Sequence, residues 1–175
     1  MAIGVTLDAL TLEDVEQARL WRNATPAGLR TPFPLTVAMQ AAFYRDVVCN
    51  RASLHRYFAC RASGALIGMG GLTNLQWTNG IGEISLLMAP DHTLLMGSCV
   101  RALLEEAFDR LRLLTVVKEC FHCDPDVKLW VSIIQEWGGT VMVLPRRKWW
   151  EGRLWSSTWG TMTAEAYRVR IGDQA

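Results

Sequence analysis

Apolar residues recur at i, i+3, i+4, i+7, i+8 and i+11 through Val100, Leu103, Leu104, Ala107, Phe108 and Leu111. That spacing predicts a long amphipathic helix. Just before it, residues 83–88 read EISLLM, a strand run that breaks at Ala89-Pro90 and leads through a short loop into the helix. A strand ending in a loop at a helix N-terminus turns free N–H groups and the positive end of the helix dipole toward one spot, where an anion is readily held. The stretch 82–108 is therefore where a ligand site is first sought.

The flanking pattern supplies the rest of the architecture. Alternation over 3–7 predicts a first strand, and Thr11-Leu12-Glu13-Asp14 resembles a capping box that opens a helix ending near Asn23. The run ATPAGLRTPFPLT that follows carries three prolines and reads as a loop with defined bends, followed by a helix capped by Thr36. Residues 55–61 and 65–72 read as strands around the turn Ala62-Ser63-Gly64. Asn79-Gly80 is a hairpin signal joining a strand that ends near Trp77 to the strand at 83–88. A strand over 113–121 after the long helix implies a right-handed crossover, and so parallel pairing of 83–88 with 114–121. Asp124-Pro125 starts another helix with Val127, Trp130, Val131, Ile134 and Trp137 on its buried stripe, and Gly138-Gly139 ends it. Strands over 140–144 and 154–162 flank the segment PRRKWWEGR, expected as a solvated tip. The order β-α-α-β-β-β-α-β-α-β-β predicts an α+β fold, and with no linker or repeat the whole of 1–175 is expected to be one domain.

Composition changes this picture little. Half of the residues are hydrophobic, a fifth are charged and the net charge is +1, a globular profile without an argument for nucleic acid or an acidic membrane surface. Five cysteines, no signal-peptide pattern and no 18-residue apolar run lead to the expectation of a soluble cytoplasmic protein. Cys120 and Cys123 form a lone CxxC around His122, which without a second ligand pair does not indicate a metal. Of eight tryptophans, Trp137, Trp149, Trp150, Trp155 and Trp159 lie in the last quarter, where rings are expected in a core or a subunit interface.

The stretches GLTNLQWTNGIGEISLLMAP, ALLEEAF, CDPDVKLW and GGTVMVLPRRKWW, in this order and spacing, resemble the GNAT superfamily of acyl-CoA-dependent N-acetyltransferases. The likeness is nearest to branches related to the ribosomal-protein N-terminal acetyltransferases. It implies a mixed, mostly antiparallel twisted sheet with helices on both faces and one central parallel strand pair that splays to admit acetyl-CoA. It further implies that Leu86, Leu87 and Met88 offer backbone groups to the pantetheine arm, and that pyrophosphate sits over His92 to Ser98, including Leu95, Met96 and Gly97. The family's Asn near the next helix start falls on Asp124, and its frequent Tyr at or near Trp130. The phosphate loop departs from the family: HTLLMGSCV keeps only Gly97, and no Arg or Lys lies between Pro90 and Val100.

Acetyl transfer needs a deprotonated amine, a polarised carbonyl and a proton for the leaving thiolate. Glu83, early on the strand that would flank the thioester, is the candidate base, and a backbone N–H near Met88 is the candidate for polarising the carbonyl. Ser132, Cys123 and Tyr44 are candidate proton donors; Trp130 is not, because an indole N–H is no acid at neutral pH. Glu119 on the partner strand is expected to face solvent. His92 and His122 stand nearer the cofactor gap, and Arg146-Arg147-Lys148 is expected as a solvated charge run. Two functions result: an acetyl-CoA-dependent N-acetyltransferase acting on a primary amine, small molecule or peptide N-terminus, with no metal; or a GNAT-fold binding or assembly protein whose phosphate loop has decayed. A homodimer burying Leu94, Leu95 and Met96 is one form of the second.

Overall fold

The computed structural model describes residues 4–31 and 33–172. Its seven strands are β1 (Val5–Ala9), β2 (Arg56–Ala62), β3 (Ala65–Gln76), β4 (Ile81–Met88), β5 (Thr115–Phe121), β6 (Thr140–Trp150) and β7 (Arg153–Thr163). They form one sheet in the order β1-β2-β3-β4-β5-β7-β6. All pairings are antiparallel except β4 with β5. The predicted α+β class and its single parallel step are therefore present. The first strand runs two residues later than predicted, and Ile3 lies outside the described residues, as does Pro32.

The helices are α1 (Leu12–Ala24), α2 (Val37–Phe43), α3 (Met96–Glu105), α4 (Val127–Glu136) and α5 (Ala164–Gly172). At α1 the capping box is complete: Asp14 N donates to Thr11 Oγ1 at 3.1 Å, and Thr11 N donates to Asp14 Oδ2 at 3.0 Å. Thr36 caps α2 through Met39 N as predicted. Wider π-type turns over Tyr44–Cys49 and Glu106–Arg110 prolong α2 and α3.

Two apolar layers hold the sheet. On one face Val100, Leu103, Leu104 and Phe108 pack with Ile84, Val116, Ile134 and Met162 in the main core. The helix predicted most firmly by periodicity thus buries its apolar stripe from Val100 to Phe108, with Leu111 partly buried at its end. On the other face Leu10, Val15 and Ala59 pack with Phe43, Tyr44 and Tyr57 under α1 and α2. β3 is thin where α3 approaches: a Cβ on Gly70 would come within 3.1 Å of Leu103.

Three elements differ from the sequence reading. PRRKWWEGR is mostly strand, because β6 and β7 continue to a tight turn at Glu151-Gly152, where both residues have positive φ. A register shift between Leu144 and Lys148 accommodates Pro145 and Arg146, the latter at φ 55°. α5 follows β7, with Tyr167 stacked on Trp137 at 5.7 Å. Trp137 and Trp130 are core residues, whereas Trp149 is 65% exposed.

Candidate functional site

β4 and β5 pair only at Ile81–Thr115, Gly82–Val116 and Glu83–Val117. Beyond Glu83 the two strands part, while β4 stays paired to β3 as far as Met88. The edge of residues 84–88 that faces β5 is left without a ladder partner among the described residues. Such an edge can bind an extended amide-bearing group as an added strand. A cavity of about 610 Å³ opens at this point, with Leu86, Leu87, Met88 and Met96 along one wall and Phe121, Asp124 and Trp130 along the other.

One end of the cavity carries two carboxylates, Glu119 buried and Glu83 partly buried. Glu83 is the last paired residue of β4, and Glu119 lies two residues beyond its partner Val117, so strand alternation puts both on the same sheet face. Arg30, from the proline-rich loop, joins them. Its Nη2 lies 2.7 Å from Glu83 Oε1 and 3.1 Å from Glu119 Oε2, and its Nη1 donates to Glu83 Oε2 at 3.2 Å. Glu83 also accepts from Asn74 Nδ2 at 2.9 Å, from a residue with φ 51° at the irregularity in β3. Glu119 accepts from Ser157 Oγ at 2.8 Å and Arg147 Nε at 3.4 Å. Burial pushes the Glu119 carboxyl up, but Ser157, Arg30 and Arg147 together outweigh burial and hold it below the ordinary carboxylate value.

The loop over this end is fastened from β6. Buried Lys148 donates through Nζ to the carbonyls of Ala27 and Leu29, and lies 4.9 Å from the ring centroids of Phe121 and Trp150. Cys123 Sγ also donates to Ala27 O at 3.1 Å. The loop crosses so near Asp124 that a Cβ on Gly28 would stand 2.2 Å from its Oδ2. Asp124 Oδ1 accepts from Asp126 N at 3.0 Å, and burial followed by the Asp124 charge raises the Asp126 carboxyl. Lys118 stands 4.7 Å over the Trp130 ring.

Of the residues expected to form the site, Glu83, Leu86, Leu87, Met88, Met96, Asp124 and Trp130 line this one cavity. His92, Leu95, Gly97 and Ser98 stand beside it on the turn and the start of α3, and do not line it. The expected open loop is a 3-10 turn over Pro90–Leu95, in which Met96 N donates to Thr93 O. Leu95 packs on the core and Met96 is buried in it, so of the three residues in the expected dimer contact only Leu94, 99% exposed, is fully on the surface. A Cβ at Gly97 would meet nothing within 4 Å, leaving its surface open to a ligand.

Of the candidate proton donors, Cys123 is engaged with the loop at Ala27 O, and Ser132 and Tyr44 are elsewhere. Ser132 is exposed, because Trp130, Ile133, Ile134 and Trp137 take the buried stripe of the helix that carries it. Tyr44 donates to Leu10 O at 3.3 Å in the second core. His122 Nε2 is 2.9 Å from Thr158 Oγ1. Glu119 corrects the reading of a solvent-facing residue: its side chain is 6% exposed. Arg30 and Asn74 carried no local motif, and Lys148, expected in a solvated charge run, is buried. The parallel register together with period-two alternation would have placed Glu119 beside Glu83. Among the described residues no three His, Cys, Asp or Glu side chains are grouped to hold a metal ion.

A family model described as an acetyltransferase (GNAT) domain matches residues 5–133. Among solved structures, a mutant form of the spermidine/spermine N-acetyltransferase of Vibrio cholerae superposes with a TM-score of 0.81 at 18% identity, covering 95% of this chain and 98% of the other. A spermidine N-acetyltransferase of the same organism in complex with CoA and spermine gives 0.80 at 17%, with 94% and 98% covered. A dodecameric form gives 0.78 at 18%, with 93% and 95% covered. At these identities the likeness is one of fold. No curated relative matches the chain in sequence.

Proposed function

The chain belongs to the GNAT acetyltransferase family, and from that premise we propose that it is an N-acetyltransferase moving an acetyl group from acetyl-CoA to a primary amine. The observation that carries this reading is the position of Glu83, at the residue where β4 and β5 separate and the cavity opens. Similarity in fold to enzymes described as spermidine N-acetyltransferases supports an amine as acceptor, small molecule or peptide N-terminus.

The residues present fit acetyl-CoA. The unpaired edge of β4 at Leu86, Leu87 and Met88 would hold the pantetheine arm, with Met96 and Trp130 as apolar walls and Asp124 at the far rim. The start of α3 at Gly97 and Ser98, with His92 and Leu95 on the preceding turn, would face the pyrophosphate. Acetyl-CoA would supply the activated acyl group: the acetyl carbon leaves sulfur for the amine nitrogen, and CoA departs as the thiol with the second of the two protons that the ammonium nitrogen gives up. Glu83 receives the amine proton, directly or through water, and Asn74 orients its carboxylate. A backbone N–H near Met88 polarises the carbonyl. The five free cysteines support a reducing, cytoplasmic setting, and no helix among the described residues is long and apolar enough to cross a membrane.

A second reading, a GNAT-fold binding or assembly protein, is favoured by the loop alone. The 3-10 turn satisfies the Met96 N–H internally, and residues 91–98 offer no Lys or Arg to phosphate. Self-association of either form is part of the proposal.

One assay separates the two readings: thiol release from acetyl-CoA with a panel of alkylamines and short peptides. The enzyme reading expects turnover that falls about 10²- to 10⁴-fold in Glu83→Gln. Absence of thiol release with every amine would favour the binding protein.

A further inference from the structure

Arg30 is the one cation that touches both carboxylates at this end of the cavity, among the described residues. Resting on the reading of Glu83 as the base, we propose that Arg30 is an internal occupant of the acceptor's cation site. Its guanidinium competes with the incoming ammonium for the Glu83–Glu119 pair and must give way before transfer.

Three observations lead here. First, Arg30 meets both oxygens of Glu83, and Asn74 takes a further position on Oε2. A carboxylate so held has little capacity left for an amine proton, and a guanidinium cannot itself give one up at any ordinary pH. An ammonium in the same place can. Second, charge balance selects the ligand. Glu83 and Glu119 are opposed by Arg30 and Arg147, so exchanging Arg30 for an ammonium leaves the cluster neutral. An anionic acceptor drawn to Arg30 would instead bring a third negative charge beside the two carboxylates. The class favoured is an aliphatic amine that arrives as a cation and has no acid group next to the amine.

Third, the exchange requires little movement. The loop backbone is fixed by Lys148 at Ala27 and Leu29, immediately before Arg30. The Arg30 side chain is 52% exposed, against 12% for Glu83 and 6% for Glu119. A rotamer change thus carries the guanidinium into water while the loop stays seated. Arg30 is accordingly a specificity-determining residue that acts by occupying the site.

The test uses the full chain with Arg30→Gln and Arg30→Lys. Butylammonium chloride is titrated without acetyl-CoA and followed by chemical shifts. Arg30→Gln should bind it about 5- to 10-fold tighter than wild type, the scale of a partly exposed ion pair, while Arg30→Lys stays near wild type. In turnover, Arg30→Gln should lower KM for butylamine by a similar factor and leave KM for acetyl-CoA unchanged; a merely structural role would not lower a KM. Methylguanidinium should inhibit wild type competitively against the amine, a measurement that needs no variant to fold. Weaker or unchanged amine binding in Arg30→Gln, or inhibition by methylguanidinium that is not competitive, overturns the proposal. If no form turns over any amine yet Arg30→Gln binds butylammonium more tightly, acetyl transfer is refuted and the competition stands. If turnover is normal but KM for the amine rises in Arg30→Gln, the competition is refuted and acetyl transfer stands.

Discussion

At the scale of residues, the site is governed by what surrounds two carboxylates on neighbouring strands. Glu119 has a consequence that can be measured without substrate. Its carboxyl is held below the ordinary value in the folded chain despite burial, by Ser157, Arg30 and Arg147. A group whose folded pKa is depressed contributes stability in full above its unfolded value, and that contribution is lost as pH falls through the folded one. Wild type should therefore exceed Glu119→Gln in stability near pH 7, with the difference shrinking as pH falls from about 5 through the depressed folded value. Urea midpoints of both proteins across that range check it; an advantage that grows on acidification would show that the cations do not hold this carboxyl. Glu83 could be found in the sequence because it sits early on a strand with a clear pattern. Its cation could not, because Arg30 is 53 positions away and reaches it through a loop whose course depends on tertiary contacts.

At the scale of elements, local pattern served well where periodicity or a cap dictated the outcome. The helix through Val100 and Phe108, the Thr11 box and the parallel step of β4 with β5 all follow from such signals. It served poorly where a strand absorbs an irregularity. Pro145, Arg146 and a run of charges look like a loop, yet β6 passes through them by a register shift that turns Lys148 inward. That shift brings Lys148 to the carbonyls of the proline-rich loop, so Lys148→Met should speed amide exchange over residues 25–31 while leaving exchange in α3 unchanged. Mass-resolved hydrogen exchange reads this directly, and equal protection in both proteins would show that the lysine does not seat the loop. The packing of α4 is a second test at this scale. A Cβ on Gly160 would stand 2.3 Å from Ile134 Cδ1, so Gly160→Ala should cost about 1–3 kcal/mol in urea unfolding through overpacking. A loss below about 0.5 kcal/mol would mean that Ile134 Cδ1 swings aside or α4 shifts away from β7.

At the scale of the whole molecule, the sheet has a filled core on one face, a smaller one under α1 and α2 on the other, and a cavity between strands that a packed interior would ordinarily close. A ligand that fills such a gap binds the folded chain and not the unfolded one, so it must raise the unfolding temperature by mass action. At about 100 times the dissociation constant the gain is about 2.7 kcal/mol, whatever the acceptor is. In a chain of this length each kcal/mol moves the midpoint by about 2–4 °C. Acetyl-CoA alone should thus raise the melting temperature by about 5–10 °C at saturating concentration. Gly97→Glu supplies the control: nothing in the fold lies within 4 Å of a Cβ there, so the unliganded midpoint should barely move. A carboxylate at the start of α3 would repel phosphate, however, and the shift with acetyl-CoA should shrink. A wild-type midpoint indifferent to acetyl-CoA would mean that the 3-10 turn has closed the phosphate end, and would leave the GNAT fold here as a binding scaffold.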